Sequence, residues 1–454
     1  MARTTKKEKV LTPEEKLEQA LVPVEEQPYP VPGNWCWTFI NSGFDVTSSK
    51  RVHKTDWLSE GIPFYRTREL VKLSENGYVD NELFISRELY NECKKNYGVP
   101  KVGDLLVSGV GTIGVPYIIE DETPFYFKDG NVIWFQNRCV FLPKYIFYLY
   151  KSSFMYNQIH DMSAGTTVDT YTIINATKTM LPLPPIPEQQ RIVDRIESLF
   201  AKLDEAKEKA QTVVDGFEDR KSAILHKAFT GELTRKWAEN KGISIDSWQT
   251  KRFDEVAEVK SNLVEPTEYQ DYPHIAPDNI EKKTGRLLEY HTVAEDRVKS
   301  GKHRFYSGQI LYSKIRPYLS KVVVVHFDGL CSADIYPIEP KEGISTKYLW
   351  YYMLSDDFLT QASTAGSRSV LPKINQKEIS RIKVKVTVKA EQDKIVSLLD
   401  KLIEKEQQAK DAAEQVIDQI DAMKKSVLAR AFRGELGTND PTDESAEELL
   451  KRIL

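Results

Sequence analysis

Apolar residues recur at alternating spacings of four and three in two long stretches of this chain. Sustained spacing of this kind predicts a helix with a coiled-coil seam. Three prolines between positions 184 and 187 precede the first stretch, and Gly231 and Gly434 follow the two stretches, as is typical of helix starts and stops. Each helix would span some forty residues, about 60 Å. The predicted seam residues are Ile192, Ile196, Leu199, Leu203, Val213, Phe217, Ile395, Leu399, Leu402, Val416 and Ile420.

The two helical stretches belong to an internal repeat. Residues 188–234 align without gaps with residues 391–437, 203 positions later, and 18 of the 47 positions are identical. Both copies begin with Glu-Gln and close with Gly-Glu-Leu. Upstream the two copies correspond less exactly, and Trp35 in the first copy corresponds to Trp248 in the second. The chain therefore consists of two copies of one plan, a mixed domain followed by a long helix.

Each mixed domain alternates short apolar runs with glycine, proline and asparagine, which is typical of strands and turns. The clearest predicted strands are 104–108, 115–120, 309–313 and 321–326, and the predicted amphipathic helices are 145–159 and 346–362. The expected fold class is α+β: two similar mixed α/β domains, each followed by a long helix, with the two helices forming an antiparallel coiled coil of pseudo-twofold symmetry. Two alternatives stay open, namely that the helices bind separate partners or form a homodimer.

The repeat and the changes in composition divide the chain into six segments. We expect the charged, proline-rich N-terminal arm to be extended and the acidic stretch 439–448 to be loose, although either could touch a partner. The segments are the N-terminal arm 1–32, the first mixed domain 33–185, the first helical spacer 186–240, the second mixed domain 245–387, the second helical spacer 388–437 and the C-terminal tail 438–454.

Composition narrows the class of protein. Apolar residues make up 41% of the chain, which is enough for packed cores, and no apolar run approaches the roughly 20 residues of a membrane helix. No apolar signal segment follows the lysine-rich start. The four cysteines, Cys36, Cys93, Cys139 and Cys331, are widely spread, which favours a reducing cytoplasm and not a structural zinc site.

Catalytic signatures are missing from both copies. The sequence contains no phosphate loop of the form GxxxxGK[ST], no HExxH and no Asn-Pro-Pro-aromatic tetrad, and the seven histidines lack metal-ligand spacing. Residues 109–114 fit GxGxxG, but a strand containing Pro116 follows where a nucleotide loop would open a helix. We therefore expect a turn between two strands, and a binding device that does no chemistry.

Two motifs give the chain a family resemblance. Residues 181–193, Leu-Pro-Leu-Pro-Pro-Ile-Pro-Glu-Gln-Gln-Arg-Ile-Val, and residues 228–234, Ala-Phe-Thr-Gly-Glu-Leu-Thr, closely resemble the first conserved region of type I restriction–modification specificity subunits. Residues 165–168 and 308–321 resemble parts of that family's two target recognition domains. The resemblance covers about 29–436, although the second copy lacks the proline cluster before Glu391.

The resemblance implies a role without catalysis in this chain. Each mixed domain would be a target recognition domain that reads one half of a split, double-stranded DNA target, and the helices would fix the gap, with half-sites near one helical turn apart. Two methyltransferase subunits would bind the repeated regions, and two ATP-driven restriction subunits would join them. S-adenosylmethionine, ATP and Mg²⁺ would then belong to those partners, and no membrane is involved.

The net charge of −4 is unusual for a DNA-binding protein, so we expect local basic patches only, with further affinity from basic surfaces on the methyltransferases. Residues 297–321 contain seven cations and no acid, and 47–54 combine cations with hydroxyl side chains. Arginine can read guanine, and serine or threonine can contact bases or phosphates. The candidate DNA-binding residues are Lys50, Arg51, Lys54, Arg66, Arg68, Thr112, Thr166, Thr167, Lys302, Arg304, Ser313, Lys314, Arg316, Lys321 and Arg368.

Two rival functions remain. A fused nuclease or methyltransferase would need a catalytic domain, for which no stretch of the chain is left. A non-catalytic coiled-coil adaptor that reads no DNA would explain the helices, but it would not explain two elaborate, diverged mixed domains.

Overall fold

The computed structural model describes residues 12–163, 169–365 and 372–454. The chain divides into two compact units, unit 1 with Met1–Glu208 and Val416–Leu454, and unit 2 with Lys209–Gln415. The divisions fall inside the two spacer helices and not at the predicted domain boundaries. Each unit therefore contains one mixed domain and one part of each long helix.

The helices and strands follow the repeat along the chain. The first mixed domain contains α1 (Pro13–Ala20), β1 (Cys36–Phe39), β2 (Phe44–Thr47), β3 (Ile62–Tyr65), α2 (Thr67–Asn76), β4 (Phe84–Ile85), α3 (Arg87–Tyr97), β5 (Leu105–Ser108), β6 (Pro116–Ile118), β7 (Tyr126–Phe127), β8 (Val132–Asn137), α4 (Pro143–Tyr150), α5 (Ser153–Ser163), α6 (Ile173–Thr177) and β9 (Met180–Leu183). The first spacer contains α7 (Ile186–Asp215), α8 (Phe217–Phe229) and α9 (Arg235–Asn240).

The second half repeats this order with more strands. Its mixed domain contains β10 (Gln249–Arg252), α10 (Phe253–Val256), β11 (Ala257–Val259), β12 (Leu263–Val264), β13 (Pro273–Ile275), β14 (His291–Thr292), β15 (Lys302–Phe305), β16 (Ile310–Ser313), β17 (Val322–Val324), β18 (Gly329–Cys331), β19 (Ile335–Pro340), α11 (Thr346–Met353), α12 (Asp356–Ala365), α13 (Gln376–Ile379) and β20 (Lys383–Val386). The chain closes with α14 (Lys389–Ala431) and α15 (Ala446–Lys451).

The two mixed domains share a sheet plan. In the first, an antiparallel sheet has the order β2-β8-β5-β6, and in the second the matching sheet has the order β11-β19-β16-β17. A second sheet has three strands, β4-β3-β7, in the first domain and five, β12-β15-β18-β13-β14, in the second. Each domain is entered and left through an antiparallel strand pair, β1 with β9 and β10 with β20. The α+β class is confirmed.

Both predicted amphipathic helices of the mixed domains are interrupted once. Ser152 separates α4 from α5, and Ser355 separates α11 from α12. Each serine hydroxyl donates to the carbonyl three residues earlier, at 2.6 Å, and accepts from the backbone NH three residues later. The side chain thus ends one helix and caps the next, which the apolar period alone does not reveal.

In unit 1 the start of α7 pairs with the end of α14. The Lys424 ammonium lies 5.1 Å from the centre of the Phe200 ring, and the Lys207 ammonium is 3.3 Å from a carboxylate oxygen of Asp421. Residue numbers rise along α7 as they fall along α14, so the pairing is antiparallel.

Unit 2 shows the same direction of pairing. The Lys410 ammonium lies 5.2 Å from the centre of the Phe217 ring, and Arg220 Nε is 2.6 Å from Glu406 Oε2. The predicted antiparallel helix pair is therefore found in each unit taken by itself.

Most predicted seam residues are buried or half-buried, and two details differ from the prediction. Val416 is 41% exposed, so its assignment to the seam is wrong. Ala413 and Ile420 are buried and Ile417 is half-buried, so the spacing here is four residues and then three, where three and then four was predicted. Valine and isoleucine are similarly apolar, and spacing alone could not choose between them. In addition, Gly216 divides the first predicted helix into α7 and α8.

Each repeated glutamate, at the start of its own long helix, bonds to the turn that follows the other spacer. Glu188 is fully buried and accepts from the Thr438 hydroxyl at 2.7 Å, and Glu391, also buried, accepts from the Thr234 hydroxyl at 2.6 Å. Burial raises the pKa of Glu188 above its ordinary value, although hydrogen bonds from Thr438 and Arg191 oppose the shift. Gly231 and Gly434 have φ of +73° and +70°, the left-handed conformation that ends a helix.

The described terminal segments are packed within unit 1, and Pro13–Ala20 is a helix, so the expectations of an extended N-terminal arm and of a loose acidic tail are both wrong. Ala446 and Leu450 of α15 are buried in the same apolar cluster as Trp35, and Leu17 of α1 packs against that cluster. The Ala446 backbone NH donates to the Asn34 carbonyl at 3.0 Å. The apolar positions of this short amphipathic helix outweigh its acidic surroundings.

Candidate nucleic-acid interface

A turn between two antiparallel strands occupies the same place in both mixed domains. In the first domain residues 109–115 join β5 to β6, and in the second residues 314–321 join β16 to β17. Val110 forms an isolated β-bridge with Thr170, and Ile315 forms one with Lys373. The prediction that the GxGxxG motif is a turn between strands is confirmed. We call these segments the first and second hairpin turns.

The second hairpin turn has an unusual backbone that exposes Arg316. Arg316 and Ser320 have φ of +49° and +46°, a left-handed conformation that side chains other than glycine rarely adopt. The Arg316 NH donates to the Pro372 carbonyl at 2.7 Å, and the Ser320 NH donates to the Pro317 carbonyl at 2.9 Å. Arg316 is exposed, and the described part of the chain offers its guanidinium no hydrogen-bond or ion-pair partner.

Tyr318 is 49% exposed in the same turn. Sequence reasoning singled out the basic residues here and missed this tyrosine, although its place between Pro317 and Leu319 in a basic stretch was a usable signal. An exposed arginine beside an exposed aromatic ring can contact both phosphates and bases.

Several other candidates of the second domain are directed into the protein. Lys302 is only 8% exposed and its ammonium donates to the Ser300 hydroxyl at 2.7 Å, which disfavours a direct contact with DNA. Ser313 is 1% exposed, which likewise disfavours a direct contact with DNA. Both lie on strands, β15 and β16, in which every residue except the half-buried Arg304 is buried.

Lys314, Lys321 and Arg304 are partly buried and each has a local contact. The Lys314 ammonium donates to the Ala333 carbonyl at 2.7 Å, and the Lys321 ammonium donates to the Pro277 carbonyl at 2.7 Å. The Arg304 guanidinium lies 5.4, 5.8 and 4.9 Å from the ring centres of Tyr269, Tyr272 and Tyr306. These contacts fix the three cations close to the surface, whereas Arg316 is exposed and has no such contact within the described ranges.

The cluster at 50–54 in the first domain is exposed. The Lys50 ammonium lies 5.2 Å from the centre of the Tyr97 ring, and Arg51 Nε is 2.8 Å from Asp129 Oδ2. Lys54 and, in the first hairpin turn, Thr112 are also exposed. Surface ion pairs such as the one that Arg51 makes are weak, so a phosphate can compete for the guanidinium.

Arg66 and Arg68 converge on one buried carboxylate. Glu69 is 2% exposed and accepts from Arg66 Nη2 at 2.8 Å and from Arg68 Nε at 3.0 Å. Burial alone would raise the pKa of Glu69, but the hydrogen bonds from both arginines outweigh it and lower the pKa to about 2. Arg68 also pairs with Glu82 at 2.9 Å. Both arginines therefore form ion pairs within the protein, which the sequence did not indicate.

Three candidates, Thr166, Thr167 and Arg368, lie outside the described residues. The segments that contain them end just before Thr170 and Lys373, the residues that bridge to the two hairpin turns. Among the residues that the structure describes, no three His, Cys, Asp or Glu side chains are arranged to hold a metal ion. No helix in those ranges has both the length and the apolar composition that crossing a bilayer requires.

Comparison with known proteins assigns the two repeated domains to a protein family. Residues 35–213 and 245–416 both match the type I restriction modification DNA specificity domain. This chain belongs to that family. A curated relative, the type I restriction enzyme EcoDI specificity subunit of Escherichia coli, is 36% identical over 316 residues, which cover 63% of this chain and 71% of the relative. As a specificity subunit, the chain recognises a DNA target sequence and is not itself an enzyme.

Solved structures agree on the fold. The crystal structure of the HsdS subunit from Thermoanaerobacter tengcongensis matches with a TM-score of 0.64 and 17% identity, over 91% of this chain and 100% of that one. A chain from a structure of type I restriction–modification complex assembly and conformational transition matches with a TM-score of 0.63 and 17% identity, over 90% and 100%. The likeness at this identity concerns the fold alone.

Proposed function

We propose that this specificity subunit reads a bipartite DNA target, with target recognition domains at 33–185 and 245–387 each reading one half-site. The observation that carries the proposal is that the two hairpin turns share a scaffold and differ in side chains. The first presents Gly111 and Thr112, and the second presents Arg316 and Tyr318. The same support with different contact groups is what two unlike half-sites require.

Within this function, Arg316 is the base-reading candidate. Its guanidinium has two parallel N–H donors available for the O6 and N7 acceptors of guanine in the major groove. Lys50, Arg51 and Lys54 are candidates for phosphate contacts in the first domain, since phosphates need only exposed cations. The excess of acidic residues elsewhere is compatible with DNA binding if partner subunits supply most of the positive surface.

We further propose the assembly that this function needs. Two methyltransferase subunits would bind the spacers at 186–240 and 388–437, two restriction subunits would join them, and the helix pair would set the gap between half-sites. The partners would supply S-adenosylmethionine, ATP and Mg²⁺. A cytoplasmic location follows from the proposed access to cellular DNA.

The experiment compares Arg316→Ala with Arg252→Ala in the complex with the methyltransferase subunits. Arg252 is also exposed in unit 2, but it pairs with Asp254. Loss of one bidentate base contact should reduce discrimination at a single half-site by about 1–3 kcal/mol. We expect binding to oligonucleotides substituted at each target position to show this loss for Arg316→Ala only. Unchanged affinity and specificity in Arg316→Ala would refute the role of Arg316.

A further inference from the structure

Lys221, on the spacer helix α8, is buried at the contact between that helix and the mixed domain of unit 2. Its residue is 6% exposed, and its ammonium donates to the Lys283 carbonyl at 2.6 Å. The side chain lines a cavity of about 160 Å³ together with Lys283, Ser320 and Asp356. Since a buried ammonium is costly without an acceptor, this hydrogen bond is a strong local restraint.

The restraint continues from Lys283 into the second hairpin turn. The Lys283 NH donates to the Ser320 carbonyl at 3.1 Å, and the Ser320 NH closes the turn onto Pro317. Arg316 lies directly before that proline. Two backbone hydrogen bonds and one side-chain hydrogen bond therefore connect the spacer helix to the residue that presents the guanidinium.

Three residues along this path have a left-handed backbone. Lys283, Arg316 and Ser320 have φ of +62°, +49° and +46°. Such conformations are strained for residues other than glycine and persist only when neighbouring groups hold them. Without the hydrogen bond from Lys221, relaxation of this turn to an ordinary backbone conformation would lower its energy.

The first domain achieves its hairpin turn differently. Its positive φ values, +82° and +78°, fall on Gly111 and Gly114, which adopt them without strain. Lys424, which corresponds to Lys221 in the repeat, lies instead against the Phe200 ring in the helix pair of unit 1. A comparable lysine restraint is therefore not needed in the first domain.

We propose that Lys221 is a positioning residue for target recognition: it holds the second hairpin turn in its reading conformation from the spacer helix. The inference rests on the proposed function of that turn. It makes selectivity at one half-site depend on a buried residue of the spacer, outside the DNA-contacting surface.

Two measurements on Lys221→Met test this, with Lys227→Met as control. Lys227 is on the same helix, and its side chain is 55% exposed. First, hydrogen exchange of the full-length chain should accelerate at least about tenfold at the Lys283 and Ser320 amides and remain unchanged in the first hairpin turn. Second, the assembled complex should modify sites mismatched in one half-site about tenfold more, relative to matched sites, with the other half-site unaffected.

The hydrogen-exchange result tests the restraint on the turn, and the selectivity result tests its role in target recognition. Unchanged exchange in Lys221→Met overturns the restraint, whatever the DNA result. Faster exchange with unaltered selectivity, or selectivity relaxed equally at both half-sites, overturns the positioning role. If Lys221→Met relaxes one half-site while Arg316→Ala does not, the role of Arg316 fails and the positioning role stands. Lys221→Arg keeps a donor and should retain selectivity, and Lys221→Gln replaces the methionine variant if that variant does not fold.

Discussion

The glutamines that follow the two buried glutamates give the most quantitative prediction. Gln189 is fully buried: its Oε1 accepts from the Leu142 NH at 2.7 Å, and its Nε2 donates to the carbonyls of Val140 and Pro184 at 3.0 Å each. Replacement by alanine leaves three buried backbone groups without this partner. Each such group costs about 1–3 kcal/mol, so after partial relaxation Gln189→Ala should destabilise unit 1 by about 3–5 kcal/mol.

The repeat makes the same prediction for the other copy. Gln392 accepts from the Ser345 NH at 2.9 Å and donates to the carbonyls of Gly343 and Thr387 at 3.1 and 2.8 Å. Gln392→Ala should therefore destabilise unit 2 by a similar amount. Gln190→Ala is the control, because Gln190 is exposed and, within the described ranges, its side chain bonds to Asp194 alone, one turn along its own helix.

Hydrogen exchange at increasing denaturant concentration measures the opening free energy of each unit separately. The expected result is a loss of several kcal/mol in unit 1 for Gln189→Ala, in unit 2 for Gln392→Ala and in neither for Gln190→Ala. A loss no larger than that of the control at either buried position would refute the reasoning that these amides hold the mixed domains to the helices.

Three further predictions concern stability and charge. Gly434→Ala should cost more than Gly437→Ala in thermal unfolding, because both have φ near +70° but only a Cβ at 434 would meet Pro32, at 2.4 Å; equal shifts would contradict this. The pKa of Glu69 is lowered to about 2 in the folded protein, so the ionised carboxylate stabilises the folded state at any pH above its unfolded pKa. This contribution to the free energy of unfolding should disappear as the pH falls from about 4.5 to 2. It should be absent at every pH in Glu69→Gln. Lys302→Met should leave the salt dependence of DNA binding unchanged, since its ammonium is buried; a shallower slope would show that it contacts phosphate.

The sequence predicted the elements that depend on regular spacing. The helix pair, its stop at Gly231 and Gly434, and the hairpin turn at residues 109–114 follow from periodicity and from glycine and proline positions, and the structure contains them. The predicted seam differs from the structure at Val416, because Val416 and Ile417 are both apolar and only one of them can lie in the seam. Local spacing does not decide such a choice, since it depends on how the facing helix packs.

The candidate site was harder to predict because its chemistry depends on burial. Lys302 and Arg316 are equally basic in the sequence, but one is on the inner side of a strand and the other on a left-handed turn. Glu69, on which two arginines converge, is hidden in the core. Lys221 bonds to Lys283, which is distant in the sequence. A charge pattern identifies the patch, and only the fold shows which members face outward.

We propose that this chain selects a split DNA target, one half-site per mixed domain. The decisive test is to map the methylated bases of the source cell's genome with the gene intact and deleted. We expect one motif, two short half-sites around a fixed gap, to lose its modification on deletion and to regain it when the gene is restored. If restoring expression together with the methyltransferase subunits produces no split motif, the claim is contradicted.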